Sequence, residues 1–500
     1  MTLEALWSRE QVRALDAALV ARGIAGALLM ENAGRGAADA LLRRRPAPRR
    51  VAVLAGPGNN GGDALVVARH LRTRCPSAEV RVWCLADPAR FAGDAATMRD
   101  AAGAAGLALT EAGDDATAAA AALAGCDVIV DGCFGTGLTR AITGGAAAWI
   151  TAANAVTGAF RVALDIPSGI DADTGRILGC AFAADLTVTF AARKPGLCTG
   201  AGMAHAGDLV VADLGVPISA PADASSFLDS AAPIEAPRDR FSHKGHGGHV
   251  VVLGGRAGSP GAAYLAARAA HRLGAGLVSI AGPSARGEGM LAETMLLDLG
   301  GSLVDGALRA LDRADAVVLG PGLGRDADAV ALVDAVLDAC TAPLVVDADA
   351  LTLLALRPRA APAGRTWVLT PHPLEMARLL GFPSAAEVND DRWAAARACA
   401  DRYGAWCVLK GPGTVLAHDG RARVVPYATA ALAVGGSGDV LAGAIAARLA
   451  ERGEADLEER VASALHAHGR AGEAVERARG VSRGALASEI ADALRLDEGG

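Results

Sequence analysis

Lysine is nearly missing from this chain. Of its 48 basic residues only three are lysine: Lys194, Lys244 and Lys410. A composition biased towards arginine and alanine accounts for the scarcity. Under that bias a surviving lysine is mildly informative, because arginine can replace it on most surfaces but not at a compact ammonium site. All three stand in Gly- or Pro-marked stretches: Ala192-Arg193-Lys194-Pro195-Gly196, His243-Lys244-Gly245 and Leu409-Lys410-Gly411-Pro412-Gly413-Thr414. Aromatic residues are also few, 3% against 52% apolar residues overall, so Ala, Val and Leu must build the core. No basic stripe appears, and a net charge of −7 argues against a nucleic-acid surface. No apolar run is long enough to span a bilayer. The start, Met1-Thr2-Leu3-Glu4, has neither the basic nor the apolar region of a secretory signal. The nine cysteines are odd in number and lack C-x-x-C spacing, which fits neither a disulfide framework nor zinc. Free thiols in a reducing cytoplasm are expected.

A length of 500 residues indicates two or three domains. Ser8-Arg9-Glu10-Gln11 reads as a capping box opening a helix to about residue 22. A second helical pattern covers 28–44. Residues 51–55 form a fully apolar strand of the parallel kind. The strand runs into Gly56-Pro57-Gly58-Asn59-Asn60-Gly61-Gly62-Asp63, and a helix follows over 64–74. That order is the ligand-binding corner of a doubly wound sheet, although neither a G-x-G-x-x-G nor a Walker loop is present. A tight turn would use similar residues, but two Asn, one Asp and four Gly in eight residues favour a ligand. Further strands over 80–85, 127–131 and 161–165 follow. The last two end in Gly132-Cys133-Phe134-Gly135-Thr136-Gly137-Leu138 and Ile166-Pro167-Ser168-Gly169-Ile170-Asp171. Asn59, Asn60, Asp131, Asp165 and Ser168 should therefore meet in one crevice. Such a set suits a hard cation and equally a general acid or base, while each residue alone is a strand-end cap.

These motifs, with Phe190 and Lys194-Pro195-Gly196, resemble the NAD(P)HX epimerase family. The resemblance implies a Rossmann-like three-layer αβα sandwich that interconverts R and S forms of hydrated NADH and NADPH. It further implies that Asn59, Asn60, Gly61, Gly62 and Asp63 hold the hydrated nucleotide. Gly135, Thr136, Gly137, Leu138, Thr139, Arg140 and Ala141 would do the same. Asn60, Asp131 and Ser168 would bind K+, and Asp165 would be the acid–base group facing the substrate. Ala64 departs from the glycine usual after that Asp.

Residues 217–240 are rich in Pro, Ala, Ser and Asp and read as a linker between domains at 1–216 and 241–500. His243, His246 and His249 have no spaced partners for a metal, and a Gly-rich loop ahead of a strand at 249–253 is the simpler reading. In the second half, strands over 250–253, 276–281, 316–319, 344–346, 366–369 and 406–409 alternate with helices such as 260–273. Five strand ends carry Gly, Pro, Asp or His. The last of these glycine-rich elements is Gly435-Gly436-Ser437-Gly438-Asp439, leading into an apolar helix. A loop without β-carbons lets N–H groups approach a ligand, and the helix start favours an anion. Asp439 repels a phosphate. It either abstracts a proton from a hydroxyl attacking phosphorus or caps the helix.

His243-Lys244-Gly245, Gly320-Pro321-Gly322-Leu323-Gly324, Asp347-Ala348-Asp349-Ala350-Leu351, Thr370-Pro371-His372-Pro373 and the Gly435–Asp439 stretch resemble the ribokinase-like ADP-dependent (S)-NAD(P)HX dehydratases. By position, Ala263, Gly322, His372 and Asp439 would contact the hydrated nucleotide. Lys410, Gly411, Pro412, Gly413, Thr414 and Gly438 would hold the adenine nucleotide, with Mg2+ accompanying ADP. The resemblance makes Asp439 the base. Leu374 and Thr429-Ala430-Ala431 depart from the family pattern. The fusion implies a cytoplasmic homo-oligomer that repairs both epimers, with neither nucleic acid nor membrane as partner. Two other readings compete: a kinase for a hydroxymethylpyrimidine or thiazole alcohol, and an N-terminal half that only binds ligands.

Overall fold

The computed structural model describes residues 3–231, 240–282, 287, 289–297, 299, 302–453 and 456–496. Two compact units emerge, Ala5–Phe227 and Leu228–Gly500, the latter joined by the first four residues. The segment expected as a linker contains a short strand, Ser226–Leu228. Residues 232–239 of it lie outside the described residues.

The N-terminal unit is a seven-stranded sheet. Its strands are β1 (Arg50–Ala55), β2 (Glu79–Cys84), β3 (Leu109–Glu111), β4 (Val128–Gly132), β5 (Phe160–Leu164), β6 (Leu186–Phe190) and β7 (Asp208–Ala212), in the order β3-β2-β1-β4-β5-β6-β7. All neighbours are parallel. Parallel strands are covered on both faces, which explains their unbroken apolar runs. Val51, Val53 and Ala55 of β1 join one core, while Ala52 and Leu54 join the other. The sheet is thus the middle of three layers. Strand order reverses between β1 and β4, and the crevice beyond their carboxyl ends is where ligands bind in such sheets.

Ser8 and Gln11 do form the capping box, opening helix α1 (Arg9–Ala21). Helix α2 spans Gly26–Arg44. Helix α3 begins earlier than expected, at Asn59, and runs to Arg74. The glycine loop is therefore mostly the first turn of a helix. Gly61 is there for close approach: a Cβ on it would lie 1.7 Å from the Gly56 carbonyl oxygen. Ala64 is fully buried against Gly132.

The C-terminal unit continues with β8 (His249–Leu253), β9 (Leu277–Ala281), β10 (Met295–Leu297), β11 (Ala316–Leu319), β12 (Leu344–Val346), β13 (Trp367–Leu369), β14 (Trp406–Leu409), β15 (Thr414–His418) and β16 (Arg421–Val425). They lie in the order β16-β15-β14-β13-β12-β11-β8-β9-β10. Pairing is parallel except where β15 joins β14 and β16. The reversal here falls between β8 and β11. Helix α4 (Pro260–Arg272) packs on the sheet, and α5 (Pro373–Leu380) follows β13. The 14-residue helix α6 (Ser437–Ala450) buries twelve of its residues. A helix apolar on all sides belongs inside a core. Gly443 lets it approach α4, since a Cβ there would meet the Ala266 oxygen at 1.9 Å. Helix α7 (Leu457–Arg479) packs beside it.

Candidate active sites in two clefts

In the N-terminal unit a cavity of about 980 Å3 opens beyond the β1 and β4 ends. Asn59, Asn60, Asp63, Asp165 and residues 135–140 line it, with Asp16 from α1 and Met30 from α2. Ala141, Gly61 and Gly62 stand outside the lining. Asp165 has a left-handed backbone, φ 64°. That conformation costs a non-glycine residue about 1–3 kcal/mol and gathers at functional sites. It aims the carboxylate at Lys194, whose Nζ donates to Asp165 Oδ1 at 2.6 Å, Thr189 Oγ1 at 2.8 Å and the Phe190 carbonyl at 2.8 Å. Lys194 is fully buried. The Thr136 amide donates to Asp165 Oδ2 at 3.3 Å. Burial and the charges of Asp165 and Asp16 push the Asp63 carboxyl well above its usual range.

Asp131, in β4 and outside the lining, is fully buried. It accepts from the Ser168 amide (2.7 Å), the Ser168 hydroxyl (2.7 Å) and the Cys133 amide (3.1 Å). Its pKa is raised by burial, with these hydrogen bonds opposing. Asn60 is buried, and both atoms of its side-chain amide have no hydrogen-bond partner. Orphaned polar atoms of this kind call for an explanation such as an ion.

In the C-terminal unit, Lys410 Nζ donates to Asp347 Oδ1 at 2.8 Å and stands 3.8 Å from Glu375 Oε2. The Thr370 hydroxyl donates to the same Asp347 oxygen at 2.8 Å. A Cβ on Gly438 would lie 3.1 Å from Lys410 Nζ, so this glycine keeps the lysine open to the helix start. Asp439 is the third residue of α6. Gly436 is the cap, with φ 93° and no side-chain cap hydrogen bond, so Asp439 does not cap the helix. Burial first, then the charge of Asp347, raises the Asp439 pKa to about 7.

An apolar cavity of about 370 Å3 adjoins this cluster. His372, Lys410, Gly411, Pro412, Thr414 and Gly438 line it; Asp439, Ala263, Gly322 and Gly413 do not. His372 caps α5: its Nδ1 accepts from the Leu374 and Glu375 amides. Partial burial and the Lys410 charge lower its pKa, and with Nδ1 accepting, the ring proton sits on Nε2. Gly322 packs against the start of α4, where a Cβ on it would reach the Ser259 oxygen at 2.4 Å, and Ala263 of the same helix packs against Gly255. Leu374 is half-exposed and outside the cavity lining. Thr429 caps a short helical turn through the Ala431 amide and donates to Glu476, so the departure there is internally bonded.

The sequence motifs did not assign Lys194, Asp347, Glu375 or Asp16 to a site. Lysine scarcity was the available signal for Lys194. His468 was also unassigned. It is buried on α7, and its Nε2 lies 3.1 Å from the Ser437 carbonyl and 3.2 Å from its hydroxyl. Burial lowers its pKa to about 4. Among the described residues no group of three His, Cys, Asp or Glu side chains is placed to hold a metal ion. No described helix is long and apolar enough to cross a membrane.

Two α/β units, each with a cleft beyond its strand ends and a lysine set against a buried aspartate, define a two-site enzyme of nucleotide chemistry. Residues 250–496 match the family model described as NAD(P)H-hydrate dehydratase, and 26–196 match the YjeF-related protein N-terminus. A bifunctional NAD(P)H-hydrate repair enzyme from Moorella thermoacetica is 42% identical over 93% of this chain and 91% of its own length. The Escherichia coli K12 counterpart is 35% identical over 93% and 88%. A solved ADP/ATP-dependent NAD(P)H-hydrate dehydratase from Bacillus subtilis, co-crystallised with ATP and Mg2+, is 32% identical. It covers 52% of this chain and 92% of its own, at a TM-score of 0.45. The chain belongs to the family of bifunctional NAD(P)H-hydrate repair enzymes.

Proposed function

We propose that the N-terminal unit epimerises R and S forms of hydrated NADH and NADPH, and that the C-terminal unit dehydrates the S form with ADP. The observation that carries this reading is the pair of separate clefts in a chain of this family. Each cleft sets one of the chain's three lysines against a buried strand-end aspartate, at 2.6 Å and 2.8 Å.

In the C-terminal cleft, the apolar cavity takes the adenine, and Lys410 with the start of α6 takes the diphosphate. Asp439 removes the proton from the ring hydroxyl as its oxygen attacks the β-phosphorus of ADP. The bond to AMP breaks, and the hydroxyl becomes a phosphate ester. Loss of phosphate with a ring proton restores the dihydropyridine, giving NAD(P)H, AMP and phosphate. A base with a pKa of about 7 is ionised often enough to act, and basic enough to take the proton. Mg2+ is held largely by phosphates and water in such sites, and the lack of a three-ligand protein cluster among the described residues is consistent with an ion that arrives on ADP.

In the N-terminal cleft, Asp165 is the acid–base group, and Lys194 with the Thr136 amide fixes its carboxylate. The oxygen donors suit K+: Asn60 offers a buried side-chain oxygen without a partner among the described residues, and the Ser168 hydroxyl and Asp131 carboxylate, bonded to each other, would complete the set. The ion would supply fixed positive charge there. Asn59, Asp63 and residues 135–141 would hold the nucleotide. The enzyme works in the cytoplasm as a homo-oligomer. An assay with hydrated NADH and ADP tests the reading. Formation of NADH, AMP and phosphate is expected; phosphorylation of a vitamin alcohol with no loss of hydrate would favour the kinase reading.

A further inference from the structure

We infer that Asp229, in the segment expected as linker, is a positioning residue of the nucleotide cavity. Acting through His466, it fixes Tyr427, whose ring walls that cavity. The inference rests on the reading that the cavity takes an adenine nucleotide.

Three observations carry it. Asp229 is anchored in the C-terminal unit: its amide donates to the Val424 carbonyl of β16 at 3.0 Å. It is 2% exposed, and its carboxylate lies between two buried groups. Oδ2 stands 3.3 Å from Arg423 Nη1, and Oδ1 stands 3.1 Å from His466 Nε2. The far side of that imidazole meets Tyr427, whose hydroxyl lies 3.2 Å from Nδ1. With the phenol donating to Nδ1, the ring keeps its proton on Nε2, facing the Asp229 carboxylate. The imidazole therefore lies between the phenol, to which it is hydrogen-bonded, and the carboxylate, which it meets at 3.1 Å without a well-directed hydrogen bond; a carboxylate this close to a histidine biases its tautomer and orientation. Finally, α7 is cut away to receive the tyrosine. A Cβ on Gly469 would lie 2.2 Å from Tyr427 Cδ2, so only glycine lets the ring sit there. A recess in the helix and a buried row of phenol, imidazole and carboxylate would both be superfluous for a tyrosine free to move.

Asp229 thus acts on nucleotide affinity and leaves the chemical step alone. In the full chain, Asp229→Asn and Tyr427→Phe should each weaken ADP binding about tenfold, the value of one buried hydrogen bond to an oriented group. Calorimetry with ADP reads the Kd, and steady-state dehydration reads the KM for ADP. The kcat at saturating ADP should stay within about twofold. The double variant should be no weaker than the worse single one, because both changes cut the same chain. Unchanged Kd in both variants, equal losses in kcat and kcat/KM, or fully additive effects would each overturn the inference. If Asp229→Asn does not fold, Tyr427→Phe decides alone, since it leaves the charged pair intact. An unaltered chain that binds ADP yet consumes no hydrate counts against the proposed function and leaves the Kd comparison standing. One that binds no ADP sinks both.

Discussion

In the N-terminal cleft, Lys194 bonds Asp165, the very carboxylate to which the chemistry is assigned. In the C-terminal cleft, Lys410 bonds Asp347 and leaves Asp439 outside the pair. The same two residue types therefore make two different devices. Lys194 is sealed in, and its partner's carboxylate is oriented by a cation and an amide. Lys410 keeps part of its side chain in solvent, next to a glycine-lined helix start, where an incoming phosphate can share its charge. Asp439 then feels Asp347 as a like charge, and its proton is held to about pH 7. A lysine against an aspartate is not by itself a function; in one cleft the proposed acid–base group is inside the pair, in the other it stands beside it.

The largest expected effect separates the two aspartates. Asp439→Asn should lower the dehydration kcat by about 100- to 10,000-fold, the range for losing a general base, with epimerisation unchanged. Loss of both activities in a folded variant would break the two-site comparison. Lys194→Met should cost about 3–5 kcal/mol in urea unfolding, because it strands a buried carboxylate. Lys410→Met should cost clearly less, and equal costs would erase the distinction between sealed and open lysines. The pH profile comes next. Asp439 must be ionised to act, so kcat/KM for dehydration should fall about tenfold per unit below pH 7 and level off above it. A profile flat from pH 5 to 8 would remove Asp439 as base. The smallest effect concerns stability. The folded-state pKa of Asp439 lies above its unfolded value, so the destabilising ionised form is absent below pH 3.8 and fully present above about 7. Asp439→Asn should therefore stabilise the fold at pH 8 by about 2 kcal/mol, allowing for solvent screening, and not at pH 4.

Much of this architecture could be read from the chain. The central strands β1, β4, β5, β8, β11, β12 and β14 fall within one residue of their expected limits. Parallel strands buried on both faces leave a short apolar run with little else to explain it. β6 and β7 were not anticipated. β6 carries Thr187 and Thr189 amid its apolar residues, and β7, next to it at the sheet edge, is only partly buried. The start of α3 was misjudged because glycines that serve close packing look like glycines that serve a turn. Motif residues at strand ends, such as Asn60, Asp165 and Lys410, could be located because topology gathers strand ends. Asp229, His466 and His468 could not. They act across 31 to more than 200 residues of chain, and no local pattern marks a partner at that distance. The scarcity of lysine pointed to Lys194, yet only the left-handed turn at Asp165 explains why it matters.

The most direct test of two independent sites follows both epimers at once. Asp165→Asn is mixed with ADP and an R/S mixture of hydrated NADH, and each epimer is monitored by chromatography. The S form should disappear at the rate seen with the unaltered chain, while the R form persists and decays only as fast as it epimerises without enzyme. Consumption of the R form at the unaltered rate would contradict the assignment of Asp165, and survival of both forms in a folded variant would contradict the separation of the two sites.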